Sequence, residues 1–168
     1  AKDSESQNRE LKGARLLLNA IRYFLTRRGT LTAAAYELGA WFRLDGGQGP
    51  LDSQFLLAPY TFDYAAPKLK VEDHGGFNIC LYPLRPSARG SVSIESADPA
   101  ALPAIVPAFA SDGNDIEHVI ALIRKAREFV AQSPLKDLIF EETRPGSQFQ
   151  TDAEIREAHR RLGFANYH

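Results

Sequence analysis

The chain contains no methionine and a single cysteine, Cys80. One thiol cannot form an internal disulfide, and a lone cysteine inside the apolar run Phe77–Leu84 reads as a buried core group rather than a nucleophile. Neither sign of charge dominates: 20 Lys and Arg stand against 21 Asp and Glu, for a formal net charge of −1. That balance offers no electrostatic case for nucleic acid. The pairs Arg27-Arg28 and Arg160-Arg161 are isolated, with no basic stripe or interleaved aromatics, and read as solvated helix ends. No apolar run approaches the roughly 20 residues that a membrane span needs, so no membrane partner is expected. The first ten residues, AKDSESQNRE, are too polar for a signal peptide. Without an initiator Met the sequence fits an internal piece of a longer chain, and a cytoplasmic setting is the expectation.

Several catalytic patterns are missing as well. No Gly-x-Ser-x-Gly nucleophile elbow occurs. No two histidines have the i, i+4 spacing of a helical metal site; His118 and His159 read as solvated, and His74 lies in a loop, so no metal is expected. Gly46-Gly47-Gln48-Gly49 is followed by Pro50-Leu51-Asp52 instead of a helix with a third glycine, so it is a loop and not a dinucleotide fingerprint. Glu141 and Glu142 are adjacent, which on a strand points them to opposite faces.

What is present is an ordinary globular composition, 44% hydrophobic and 24% charged over 168 residues. By length this is a single domain spanning 1–168, able to bury about 70% of its unfolded surface. Residues 1–8 read as a fraying lead-in. Between Arg9 and Arg28, Leu11, Ala14, Leu18, Ile21 and Leu25 recur at helical spacing, with Leu17 and Phe24 widening the stripe; Gly13 weakens the start and Gly29 marks the stop. Tyr36–Arg43 reads as a strand entering the core, Ser53–Phe62 as a second strand interrupted by Pro59, and Phe77–Pro83 as a third. The polar loop 63–76 is long enough for a lid or a crossover. Asp112–Gln132 is the clearest helix, with Ile116, Val119, Ile120, Ile123, Ala126, Arg127 and Val130 along one side and Pro134 barring continuation. Leu135–Glu142 reads as a helical turn or a fifth strand. Thr151 with Glu154 forms a capping box for a last helix that ends at Gly163. Strands come mostly before helices, without βαβ alternation, which predicts an α+β fold: a mainly antiparallel sheet with helices packed on one face.

The stretch Leu84–Pro107, LRPSARGSVSIESADPAALPAIVP, carries the most distinctive pattern. Pro86–Gly90 is a turn, with Gly90 tolerating φ > 0. Ser91–Ser96 then alternates, which predicts a fourth, central strand with Val92 and Ile94 on one buried face. Pro99, Pro103 and Pro107 predict an extended connector to the long helix.

This stretch resembles the signature of the glucose–methanol–choline (GMC) family of flavin-dependent alcohol oxidoreductases, in Pro86, Ser87, Arg89, Gly90, Ser96, Asp98, Pro99, Pro103 and Ile105. Further likenesses keep the family order. Upstream are Arg28–Thr32 and Glu37–Arg43; downstream are Asp115, Ile123–Glu128, Glu142-x-x-Pro145-Gly146 and Asn166-Tyr167-His168. The resemblance implies the substrate-binding portion of an FAD-dependent, choline-dehydrogenase-like enzyme, with the FAD-binding portion of the same protein as its partner and a small alcohol as substrate. It implies that His168 is the base that takes the hydroxyl proton, since imidazole accepts protons near neutral pH. It also implies that the sheet forms one wall of the substrate pocket, with Trp41, Phe55, Tyr60, Phe62 and Tyr82 as the lining candidates. The flavin site itself is missing, so the chain alone is expected to bind no FAD tightly and to turn nothing over. Two readings compete with this one. One is a free-standing α+β ligand-binding module without flavin. The other is an interaction domain that self-associates through the surface meant for the FAD-binding portion.

Overall fold

The computed structural model describes residues 6–63, 68, 70–109 and 111–164. His168 and its neighbours Asn166 and Tyr167 lie outside the described residues. Three antiparallel strands form the central sheet: β1 (Leu38–Phe42), β2 (Ser53–Ala58) and β5 (Asn78–Pro83), in the order β1-β2-β5. Two short ribbons stand apart from it, β3 (Phe62–Asp63) with β4 (Lys70–Val71), and β6 (Ser91–Ser93) with β7 (Ala104–Val106). The helices are α1 (Gly13–Thr26), α2 (Gly113–Val130) and α3 (Asp152–Leu162). The predicted α+β architecture is therefore present, with α2 laid along the sheet beside β5 and α3 against α2.

The core follows from the helical period. Ile116, Ile120 and Ile123 share one face of α2 and meet Ile155 of α3, with Leu81, Val119 and Phe149 packed around them. Full burial of one such side chain stabilises by roughly 1.5–3 kcal/mol, so this small cluster anchors both helices. Asp112 caps α2 by accepting from Asn114 N–H at 2.7 Å, and Thr151 and Glu154 complete the predicted capping box of α3. Helix α1 is amphipathic, yet none of its residues is buried: Phe24 is 71% exposed and Leu17 and Leu25 are exposed with it. Its polar side is the one turned back on the chain, where Glu10 takes hydrogen bonds from Arg15 and Asn19.

The structure corrects several expectations. Ser91–Ser93 joins no central sheet; among the described residues it pairs with Ala104–Val106, and the two strands are largely exposed. Val92 is 70% and Ile94 89% exposed, not buried. The connector is accordingly a returning strand, and Pro103 and Pro107 flank its ladder rather than interrupt it. Gly90 is required by close approach and not by a positive φ, because a Cβ there would lie 2.3 Å from the Val106 carbonyl oxygen.

Of the two readings of Leu135–Glu142 the helical turn is the one present, as a 3-10 turn over Leu135–Leu138. The lead-in is ordered by its eighth residue: Asn8 is buried, donates to Thr61 Oγ1 (2.9 Å) and His74 O (2.6 Å), and accepts from Thr61 N–H (2.9 Å). His118 is not solvated. Its Nε2 lies 2.9 Å from Ser53 Oγ, and since Ser53 donates its proton to Asp52 Oδ1 (2.7 Å), the imidazole is the donor. His159 is half-buried, and that burial pushes its pKa down.

Candidate functional site

Register decides which side chains share a face. The cross-strand rows Leu38–Leu57–Ile79 and Ala40–Phe55–Leu81 point toward α2, as the contacts of Leu81 with the isoleucine cluster and of Phe55 with Phe129 (6.5 Å between ring centroids) establish. The alternate rows, Gly39–Leu56–Cys80 and Trp41–Gln54–Tyr82, with Ala58–Asn78 beyond them, point to the opposite face. No position in these rows carries a charged side chain.

The five predicted pocket-lining aromatics therefore divide. Trp41 and Tyr82 sit on the face away from α2, Trp41 being 54% exposed. Phe55 is on the helix side, 8% exposed and edge-on to Phe42 at 4.8 Å, where it acts as core. Tyr60 lies past the end of β2, its hydroxyl donating to Ala35 O at 2.8 Å and its ring edge-on to Phe62 at 5.1 Å. Phe62 instead lines a cavity of about 400 Å³ on the helix side, together with Phe77, Ile79, Ile123, Arg127 and Phe140.

Two groups that sequence reading did not single out meet beside this face. Tyr36 hydroxyl and Cys80 Sγ are 3.3 Å apart, and Asn78 Nδ2 donates to the same sulfur at 3.3 Å. Cys80 is thus half-buried on the face away from α2, not in the core. Burial first, then the neighbouring thiol and the Tyr82 phenol, push the Tyr36 phenol well above its ordinary value, and burial raises Tyr60 too. Both phenols therefore act as neutral hydrogen-bonding groups at physiological pH. The pairing of adjacent rows would have revealed Cys80; nothing local in the sequence marks Tyr36.

The motif residues prove to be fasteners between elements. Ser87 and Ala88 of the Pro86–Gly90 turn hydrogen bond to the buried carboxylate of Asp115 in the first turn of α2. Arg127 of α2 binds Glu142 through both ends of its guanidinium, Nε to Oε2 and Nη2 to Oε1 at 2.8 Å each, and Glu142 Oε1 also accepts from Gly146 N–H at 3.2 Å. Glu142 is thereby committed to structure. Among the described residues no group of three or more His, Cys, Asp or Glu side chains could hold a metal, and no helix is long and apolar enough to cross a membrane.

The Gly46–Gly49 turn does not fit the pyrophosphate of a flavin dinucleotide. In the Gly46–Gly49 turn the amide of Gly47 donates to Asp45 Oδ1 (2.9 Å), and that carboxylate is already held by Arg43 at 2.6 Å. An anion would meet a fixed negative charge there, and β2 rather than a helix follows.

Residues 86–168 match the family model described as GMC oxidoreductase. The chain is 30% identical over 151 residues to the chloroplastic fatty acid photodecarboxylase of Chlamydomonas reinhardtii, covering 83% of this chain and 25% of that protein. It is 29% identical over 148 residues to the oxygen-dependent choline dehydrogenase of Staphylococcus haemolyticus, covering 88% and 26%. Its fold is similar to that of pyridoxine 4-oxidase from Mesorbium loti, with a TM-score of 0.57 at 18% identity over 74% of this chain and 24% of that one. The chain thus spans about a quarter of the length of the relatives it matches. Ordered motifs, fold and sequence likeness agree, and the chain belongs to the GMC oxidoreductase family.

Proposed function

We propose that this chain is the substrate-side portion of an FAD-dependent oxidoreductase acting on CH–OH groups, an alcohol dehydrogenase or oxidase, and that it is inactive by itself. The observation that carries the reading is the asymmetry of the sheet. One face packs against α2 with cavities of about 400 and 390 Å³ left between them, and the other presents Trp41, Leu56, Cys80 and Tyr82 with no charged side chain in its paired rows. An uncharged aromatic surface of this kind suits one wall of a pocket for a small, neutral or weakly polar alcohol.

GMC enzymes are flavoproteins, and FAD here would be held by the FAD-binding portion of the same protein, with its hydride chemistry supplied there. The resemblance assigns the proton-accepting imidazole to His168. The exposed apolar side of α1, together with the exposed Trp41 on the sheet face away from α2, would supply the surface on which that partner docks; self-association through it is the alternative.

The test uses the chain joined to its FAD-binding portion. Mixed anaerobically with primary alcohols, the holoprotein is expected to lose its oxidised-flavin absorbance. Trp41→Ala and Tyr82→Ala are expected to raise KM for the preferred alcohol, and His168→Ala to abolish flavin reduction without loss of bound FAD. Failure of every alcohol to reduce the flavin overturns the reading. Sedimentation of the 168-residue chain alone separates the docking reading from self-association, which predicts a dimer.

A further inference from the structure

We infer that Gly39 is a positioning residue that sets the size of alcohol accepted, acting through Trp41; the inference rests on the pocket-wall reading above. Gly39 and Trp41 are two residues apart on β1, so they share the face away from α2. A Cβ added at Gly39 would stand 2.8 Å from Cη2 and 2.9 Å from Cζ3 of the Trp41 indole, and 3.2 Å from Leu56 Cδ2. Those separations are far inside carbon–carbon contact, so the ring occupies the place a side chain would take.

Gly39 is not needed for its backbone, since it is absent from the positions with positive φ. A glycine inside a strand sacrifices packing, and the indole laid across the bare backbone restores it. The ring accordingly leans back along β1 over Gly39, with Leu56 beside that position. Its other surface remains open, with Trp41 54% exposed. Any side chain at position 39 must push the indole forward, away from the sheet. In the pocket-wall reading that is the space the substrate uses. Gly39 therefore keeps the wall recessed, and bulky primary alcohols, aryl or branched, are the substrates that depend on it.

The experiment is a cycle of Gly39→Ala, Trp41→Ala and the double variant in the flavin-loaded holoprotein, measured with a short linear and a benzyl-type primary alcohol. Gly39→Ala is expected to raise KM for the bulky alcohol about tenfold, with kcat and the short alcohol little changed, as one misplaced group in an apolar pocket does. The same substitution in the Trp41→Ala background is expected to have no effect, because the indole that transmits it is gone. Equal effects on both alcohols, or an effect that persists without the indole, overturn the inference. Trp41→Phe, which removes the part of the indole that a Cβ at position 39 would meet, is a second background: Gly39→Ala is expected to raise KM for the bulky alcohol less there than beside Trp41, and an undiminished effect also overturns the inference. If Trp41→Ala moves KM for neither alcohol, it is the pocket-wall reading that fails.

Discussion

Ser87 donates both its backbone N–H (2.7 Å) and its hydroxyl (2.9 Å) to one carboxylate oxygen of Asp115, while Ala88 N–H takes the other oxygen at 2.9 Å. The carboxylate sits in the first turn of α2, where the helix dipole also favours negative charge. Burial would raise its pKa, but the three hydrogen bonds outweigh that, and the carboxyl titrates below its ordinary value. The turn that identifies the family thus serves to dock the chain onto the long helix.

Asp115→Asn replaces a charged acceptor that serves three donors and is expected to destabilise by about 2 kcal/mol in denaturant unfolding near neutral pH. Because the folded pKa is depressed, the contribution is complete above the unfolded value of about 3.9 and is lost as pH falls through the folded value. The difference between wild type and Asp115→Asn should therefore shrink below about pH 4. A difference that grows on acidification would contradict the assignment.

Arg127 and Glu142 should behave as a unit. Both side chains are largely sheltered and the contact is bidentate, so a double-mutant cycle is expected to show coupling of about 1–2 kcal/mol, above the range of exposed pairs. Arg127→Lys should not rescue, because an ammonium cannot hold both carboxylate oxygens and reach Gly146 O as well. Coupling near zero would make the pair incidental.

Core and ribbon should respond oppositely to truncation. Ile155, fully buried between α2 and α3, is expected to cost about 3 kcal/mol on Ile155→Ala. Val92→Ala, on the uncovered ribbon, should stay within about 0.5 kcal/mol in the chain alone. Thermal unfolding of both variants checks this, and a large loss at Val92 would restore the buried-strand expectation.

Asn8→Ala removes four hydrogen bonds that tie the start of the chain to Thr61 and the loop carrying Glu72 and His74. It is expected to cost about 2 kcal/mol and to accelerate amide exchange at Thr61, with that of α2 little changed. Unchanged exchange at Thr61 would return the segment to a loose lead-in.

Elements whose signals are short in range were legible along the chain. Apolar spacing marked α2 with its stop before Pro134, Thr151 and Glu154 marked α3, and alternation between turn residues marked β1, β2 and β5. The family was legible too, because motifs in a fixed order survive at identities near 30%. Partnership was decided only by the tertiary structure. Ser91–Ser93 has the pattern of a buried strand, but alternation names two faces without saying whether anything covers either one.

The five aromatics show the same limit. Each is apolar enough for core or pocket, and only the register separates Trp41 and Tyr82 from Phe55, since a shift of one residue moves a side chain to the opposite face of the sheet. Tyr36 and Cys80, 44 residues apart, meet because β5 returns beside β2, a contact that no local spacing encodes.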